Sequence, residues 1–236
     1  MQGERALEYR FVLDRAVAEG VLRRAAGHLT PDVHAPERPV TYCRTLYLDT
    51  DDGAFLRTFR RGATACRMRL RQYAAASDLA GEPIVAGRRA FVEVKRSCGL
   101  ERAKVRIPVE LERVDAILAG LAGNGLRPCL LTWFRRWSLG RAPVRITLDE
   151  RIAYCRPEPP AAAGDRAAPR AVIARDGLAV LEVKVTRGMP GWLEREVAGL
   201  GRHLALRHSK FRAGMDALRR AGRSSGGNDE EWRDAG

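Results

Sequence analysis

The chain has 236 residues, with 42 Lys and Arg against 29 Asp and Glu, for a formal net charge of +13. Apolar residues at 45% and charged residues at 30% exclude collagen-like and generally disordered chains and fit a globular protein of one or two domains. No apolar run reaches the roughly eighteen residues of a membrane helix, and the charged start MQGERALEYRFVLD lacks a signal peptide's apolar core, so a cytoplasmic protein is expected.

In chain order, alternation of apolar and polar residues predicts a first strand over 8–13. A helix follows over 14–27, where Val17, Val21, Leu22 and Ala25 recur at helical spacing behind Asp14 as N-cap. Strands over 41–49 and 65–73 come next, then a polar, Gly-containing loop over 74–89. Strands over 90–96 and 104–109 lead into a helix over 110–121, and strands over 130–139 and 144–149 follow. Residues 157–177 are Pro- and Ala-rich and read as a mobile surface excursion. After a strand over 180–186, Pro190 opens a helix carrying Trp192, Leu193, Val197, Leu200 and Leu204, and a last helix starts around Ser209. One domain over 1–222 is expected, with 223–236 as a disordered C-terminal tail. Eight strands with a handful of helices indicate an α+β fold built on a mainly antiparallel sheet.

The charged alternates of these strands form a pattern. Arg67, Arg69 and Arg71 are spaced by two and project from one face of one strand. Glu93 shares a face with Lys95, Glu182 with Lys184, Lys104 with Arg106, Arg145 with Thr147 and Asp149, and Glu8 with Arg10. On one strand such a face is ordinary solvated surface with weak ion pairs. Six strands with the same habit point to a sheet whose charged faces turn inward, as a polar lumen with helices covering the apolar outside. Many cations with a few carboxylates are the balance expected for phosphate plus a divalent metal.

Only four of the 42 basic residues are lysine: Lys95, Lys104, Lys184 and Lys210. Against so strong a bias toward Arg, a retained Lys marks a place that needs a compact ammonium. The five cysteines are odd in number with no C-x-x-C pair and read as reduced thiols, and the four histidines lack metal-ligand spacing. Trp133, Phe134, Trp137 and Trp192 read as core or rim aromatics. Tyr47 and Asp49 are candidates to line the lumen, with Asp49 equally suited to capping the turn after it, and His208 reads as a solvent-facing helix end.

These residues resemble a known family. Glu8-Tyr9-Arg10-Phe11, Thr45-Leu46-Tyr47-Leu48-Asp49-Thr50, the alternating arginines ending at Tyr73, Phe91 to Lys95, Lys104 to Arg106, Trp133-x-Arg135, Val144 to Asp149, Leu181 to Lys184 and Ser209-Lys210-Phe211 follow the order of the VTC (vacuolar transporter chaperone) polyphosphate polymerase domain. The likeness runs from about Glu8 to about Ala221, and all four lysines fall on its motifs. It implies the fold of the CYTH-like triphosphate tunnel metalloenzymes, an eight-stranded antiparallel closed β-barrel with flanking helices. It also implies an activity: transfer of the ATP γ-phosphate to a growing inorganic polyphosphate chain, with Mn²⁺ or Mg²⁺ as cofactor.

Carried over by position, the resemblance implies that Arg10, Arg67, Arg69, Lys95, Lys184 and Lys210 act on the reacting phosphates. Arg71, Lys104, Arg135, Arg145 and Ser209 would bind phosphate, and Glu182, with Glu93 and Glu8, would hold the metal. The family usually has Lys where Arg10 stands, and Ala6 replaces the first carboxylate of the Glu-x-Glu-x-Lys strand of the hydrolase branch. The regulatory SPX domain and membrane helices of the eukaryotic complexes have no counterpart here, which leaves room for a separate membrane-protein partner. Two alternatives stand beside the polymerase: a non-catalytic binder of polyphosphate or a phosphorylated ligand, and a triphosphate hydrolase. A specific nucleic-acid partner is not expected, because aromatics make up only 6% of residues and no nucleic-acid motif is present.

Overall fold

The computed structural model describes residues 7–32, 40–61, 64–76, 83–98, 101–157, 172–205 and 208–225. All eight alternating stretches are strands of one antiparallel sheet. The strands are β1 (Leu7–Leu13), β2 (Thr30–Pro31), β3 (Val40–Thr50), β4 (Thr64–Ala76), β5 (Pro83–Cys98), β6 (Glu101–Glu110), β7 (Leu126–Arg141), β8 (Val144–Cys155), β9 (Val172–Arg175) and β10 (Ala179–Val185). The helices are α1 (Arg15–Ala25), α2 (Ala54–Arg61), α3 (Val114–Gly123), α4 (Gly191–Gly199) and α5 (Lys210–Ser225). No helix among the described residues is long and apolar enough to cross a membrane.

The strand order is β1-β10-β8-β7-β3-β4-β5-β6, with β2 beside β7 and β9 beside β8. The fold is therefore α+β and antiparallel as expected, but the closed barrel is not found. Among the described residues β1 and β6 are the two ends of the path and no pairing joins them. Pro108 in β6 removes a ladder donor, and proline and cationic residues are devices that keep an edge strand from taking another partner.

Two segments read as loops contain strand. β4 runs on to Ala76 and β5 begins at Pro83, with Ala74 opposite Ala86 and Ala75 opposite Val85, so most of 74–89 forms the arms of a hairpin. Within 157–177, Val172–Arg175 pairs with β8, and 158–171 lie outside the described residues. The helix after Pro190 stops at Gly199, before Leu204. Residues 223–225 continue α5, and 226–236, the rest of the expected tail, lie outside the described residues.

Helix α2 was not foreseen. Its eight residues give little periodicity, yet its start is strongly fixed. The Asp49 carboxylate accepts hydrogen bonds from the N–H groups of Phe55 and Leu56 at 2.8 and 3.0 Å, and Thr50 Oγ accepts from Ala54 N–H at 2.8 Å. Gly53, at φ +69°, makes the turn into it. Of the two roles open to Asp49, capping is the one it fills.

Side chains sort by face. Phe11, Leu13, Ile146, Leu148, Leu181, Val183 and Val185 point outward under α1 and α4, which contribute Ala18, Val21, Ala25 and Leu193. Val114 and Leu118 of α3 cover Leu131 and Trp133 further round. The inner face is divided. One end is filled by α5, whose Phe211 and Ala217 pack on Tyr47, Phe134, Ile152 and Tyr154, while the rest is left to polar residues.

The fit of α5 depends on Gly214. A Cβ there would lie 2.5 Å from Leu130 Cδ2 and 2.7 Å from Tyr154 Cδ1, and Leu130 is fully buried with nowhere to move. Gly214→Ala is therefore expected to destabilise the fold by about 1–3 kcal/mol through overpacking, despite alanine's better helix propensity. Gly222→Ala, in open space on the same helix, should be neutral or stabilising. Urea unfolding of both variants checks the opposite signs.

Candidate functional site

The register decides what meets inside the sheet. Glu8 lies opposite Lys184 and Arg10 opposite Glu182, so β1 and β10 set two carboxylates and two cations together. Lys184 lies opposite Arg145, and Glu182 opposite Thr147, on β8. Across the sheet, Arg67 lies opposite Lys95 and Arg69 opposite Glu93, with Glu93 opposite Arg106 and Lys95 opposite Lys104. These side chains surround one cavity of about 360 Å³, lined by eleven cations and four carboxylates. Most predicted site residues reach it: Arg10, Arg67, Arg69, Arg71, Lys95, Lys104, Arg145, Lys184, Ser209, Lys210, Glu93 and Glu182. Glu8 shares this face without lining the cavity itself, and is bonded to Arg10 at 2.6 Å.

Arg135 is the exception. It sits on the opposite face, buried, where it donates to Glu150 Oε1 at 2.6–2.7 Å beside the Trp137 indole, and Arg15 of α1 reaches Glu150 Oε2 at 2.9 Å. It anchors α1 to the sheet. The cavity residue is its neighbour Arg136, which donates to both oxygens of Asp149 at 2.6 and 2.7 Å. In Trp133-Phe134-Arg135-Arg136-Trp137 both alternates carry an arginine and an aromatic, so alternation alone does not choose. Asp149 supplies the missing signal, since it shares a face with Arg145 and Thr147 and lies opposite Arg136. Arg106, His208 and Tyr47 also line the cavity. His208 is half-buried there, not at a solvent-facing end.

The carboxylates are each taken up by cations. Glu93, 1% exposed, has Arg69 Nη2 at 2.5 Å, Lys104 at 3.2 Å, Arg106 at 3.5 Å and Arg71 at 3.9 Å. Burial raises its pKa, but Arg69, Arg71 and Lys104 outweigh burial and pull it to about 2. Asp149, equally buried, is held well below the usual carboxylate range by Arg136 and Lys210 against the effect of burial. Glu182, resisted by burial but favoured by Lys184 and Arg10, is brought to about 2.

Lys95 is the contrast. Among the described residues no hydrogen bond or ion pair to its ammonium is found, and the charges that act on it most are Arg69, Lys184 and Arg67, with Glu182 opposing them more weakly. Burial first, then these cations, lower its pKa to about 7. Burial likewise pushes His208 down to about 4, helped by Lys210, so it is neutral at pH 7. Arg67 donates to Ser209 Oγ at 3.3 Å, which ties β4 to the start of α5, where Ser209 and Lys210 line the cavity.

For a metal, the donors are Glu8 and Glu182. Their oxygens converge on a single atom, Arg10 Nη2, at 2.6 and 2.9 Å. Among the described residues no group of three or more His, Cys, Asp or Glu forms a cage. Two convergent carboxylates fit a Mg²⁺ or Mn²⁺ ion that keeps phosphate oxygens and waters as its other ligands, provided Arg10 swings aside. Glu93 stands apart from this pair among four cations, with its Oε1 3.2 Å from Lys104 and 3.5 Å from Arg106 but without a hydrogen bond.

The sequence pattern of the VTC domain family matches residues 5–124 and 112–219. No curated protein matches the chain. Among solved structures, the PH1819 protein of Pyrococcus horikoshii OT3 superposes with a TM-score of 0.52 at 13% identity, over 90% of this chain and 99% of that one. A conserved hypothetical protein of Pyrococcus furiosus gives 0.50 at 10% identity, over 87% and 98%. A putative adenylate cyclase of Bacillus halodurans gives 0.49 at 11%, over 90% and 98%. At such identities the likeness is one of fold.

Proposed function

This chain belongs to the VTC domain family, one of the triphosphate-tunnel families, and we propose that it is a metal-dependent polyphosphate polymerase using ATP. The observation that carries the reading is the cavity lining, eleven cations against four carboxylates, with the half-buried Lys95 ammonium in no ion pair or hydrogen bond among the described residues. A chain of phosphates supplies the negative charges such a lining lacks. In the proposed step a terminal oxygen of the polyphosphate chain attacks the γ-phosphorus of ATP. A new P–O–P linkage forms, the β–γ bridging bond breaks, and ADP departs.

Lys95, Arg67, Arg69 and Lys184 would hold the two reacting phosphates in line, and Lys210 with the α5 N-terminus would hold the next unit of the chain. A divalent ion shared by Glu182, Glu8 and the phosphates would neutralise charge on the transferring group. Purified protein with ATP and Mn²⁺ or Mg²⁺ is expected to make long-chain polyphosphate and ADP, read by gel staining and coupled ADP release. Failure to form polymer with either metal, with and without a short primer, overturns the reading.

A second reading, a polyphosphate binder without turnover, is favoured by Arg10, whose guanidinium already occupies the meeting point of Glu8 and Glu182. Tight binding without ADP release would select it.

Both readings share a pH signature. Lys95 titrates near 7 in the empty cavity, and a bound phosphate raises that value. Between the two values binding takes up a proton, so affinity falls as pH rises above 7, by at most about tenfold per unit. Below 7 Lys95 is charged in both states and contributes no slope. Calorimetry with tripolyphosphate from pH 6 to 9 should show the fall in the wild type, with Lys95→Met lacking that component. Parallel curves for the two proteins would remove Lys95 from the site.

A further inference from the structure

The cavity has an unusual wall. One end of the inner face is filled by α5, with Phe211 and Ala217 against Tyr47, Phe134 and Tyr154, and with no space beside Gly214. A polymer cannot pass through that end while α5 is in place. The side wall is incomplete, because among the described residues β1 and β6 are not paired. Exposure follows the same line. Along β6, residues 103–108 are exposed on both faces without interruption, the inward Lys104 and Arg106 as well as the outward Val105 and Ile107. In a closed barrel the inward pair would be shielded.

On the β4–β6 side cations grow more exposed toward this seam, whereas on the other side Arg145 at 50% and Lys184 at 39% are more exposed than Arg10 of β1 at 21%. Deep in the cavity the side chains of Arg71 and Arg69 are 7% and 11% exposed, while Arg106 and Lys104 at the β6 lip reach 32% and 45%. The opposite lip is β1, with Arg10 on Glu8. The β6 lip therefore presents cations that a polyanion meets before the half-buried Lys95, an arrangement that guides a charged chain inward from the side.

Resting on the polyphosphate reading above, we propose that a long polyphosphate chain enters sideways through the seam between β1 and β6, so that an internal segment occupies the cavity without a free end being threaded. The ligand class is then the interior of a linear polyanion as well as its terminus. Chains whose ends are blocked by bulky groups remain ligands.

The test uses polyphosphate of one length in two forms, free-ended and biotinylated at both ends with streptavidin attached. Association and dissociation are followed by stopped-flow and by interferometry at fixed salt. The capped chain is expected to bind with an affinity within about threefold of the free one, allowing for its loss of end sites. Lys95→Met should weaken both chains alike, which reports that the bound segment lies in the cavity. Binding of the free chain with a loss of tenfold or more (about 1.4 kcal/mol) for the capped one overturns lateral entry and leaves the polyphosphate reading standing. Capped binding indifferent to Lys95 also overturns it, as attachment to the outer surface. If neither chain binds, the polyphosphate reading itself falls, and lateral entry with it.

Discussion

Glu182→Ala is expected to lower the rate of polyphosphate synthesis by about 10²–10³-fold while leaving phosphate-chain affinity unchanged or tighter. The split follows from what Glu182 touches. Its Oε2 accepts from Arg10 at 2.9 Å and its Oε1 lies 3.3 Å from Lys184. Removing the carboxylate deletes the better placed of the two candidate metal donors, and with it the charge neutralisation needed in the transition state. It also releases two cations for the ligand, which favours ground-state binding. A mutation that costs turnover while improving affinity removes an interaction specific to the transition state. Steady-state kinetics with ATP and calorimetry with tripolyphosphate, run on the same preparation, give both halves. A variant with near-wild-type synthesis would show that Glu182 is not the metal-holding group. Glu182→Gln, similar in size but neutral, should behave like the alanine variant in rate.

The largest effect on the fold is expected at Asp149. Its carboxylate is 4% exposed and accepts from Arg136 at 2.6 and 2.7 Å and from Lys210 at 2.6 Å. Asp149→Ala leaves two partly buried cations facing one another without their shared anion, a change that costs about 3–5 kcal/mol when a buried pair is broken on one side. The pH dependence has a definite sign. The folded pKa of Asp149 is depressed, so its contribution is fully present above the unfolded value near 3.9 and is lost as pH falls below it. The gap between wild type and variant in urea unfolding should be widest at pH 7 and shrink by pH 3. Tripolyphosphate should restore part of the loss at pH 7, since an anion in the cavity replaces the missing charge and binding to the folded state adds stability. A variant as stable as wild type at pH 7 would mean that Arg136 and Lys210 relax into solvent at no cost.

Periodicity located all eight strands of the main path because each has an apolar face that must be buried and a polar face that must not. The same rule placed Arg67, Arg69, Arg71, Glu93, Lys95, Glu182 and Lys184 on common faces, and the register brings them together. It failed where the two faces look alike. Arg135 and Arg136 stand between aromatics on both sides, and only the partner strand tells them apart. In β8 the register slips opposite Trp133 and Arg135, and Arg151 adopts φ +51°, a local irregularity with no mark in the residue pattern. Helix α2 was hidden because its stability comes from Asp49 and Thr50 at its start, not from an apolar stripe. The open seam was invisible for a different reason. Alternation reports which face of a strand is buried but not which edge is paired, and β6 alternates like any strand inside the sheet.

The pairing of β1 with β10 sets an order of assembly. Leu13 meets Ala179 and Leu7 meets Val185, so the first strand waits for residues some 170 positions later before it has a neighbour. By contrast β4, β5 and β6 follow one another as hairpins whose contacts are local, and such contacts close early. During synthesis the Arg67–Lys104 side of the cavity can therefore form while Glu8 and Arg10 still hang free. The candidate metal donors Glu8 and Glu182 come together only after β10 has emerged, and α5, which closes the apolar end, comes later still. A nascent chain thus holds a half-cup of cations before the carboxylates of β1 and β10 have met, and the proposed site is completed as a late step of folding.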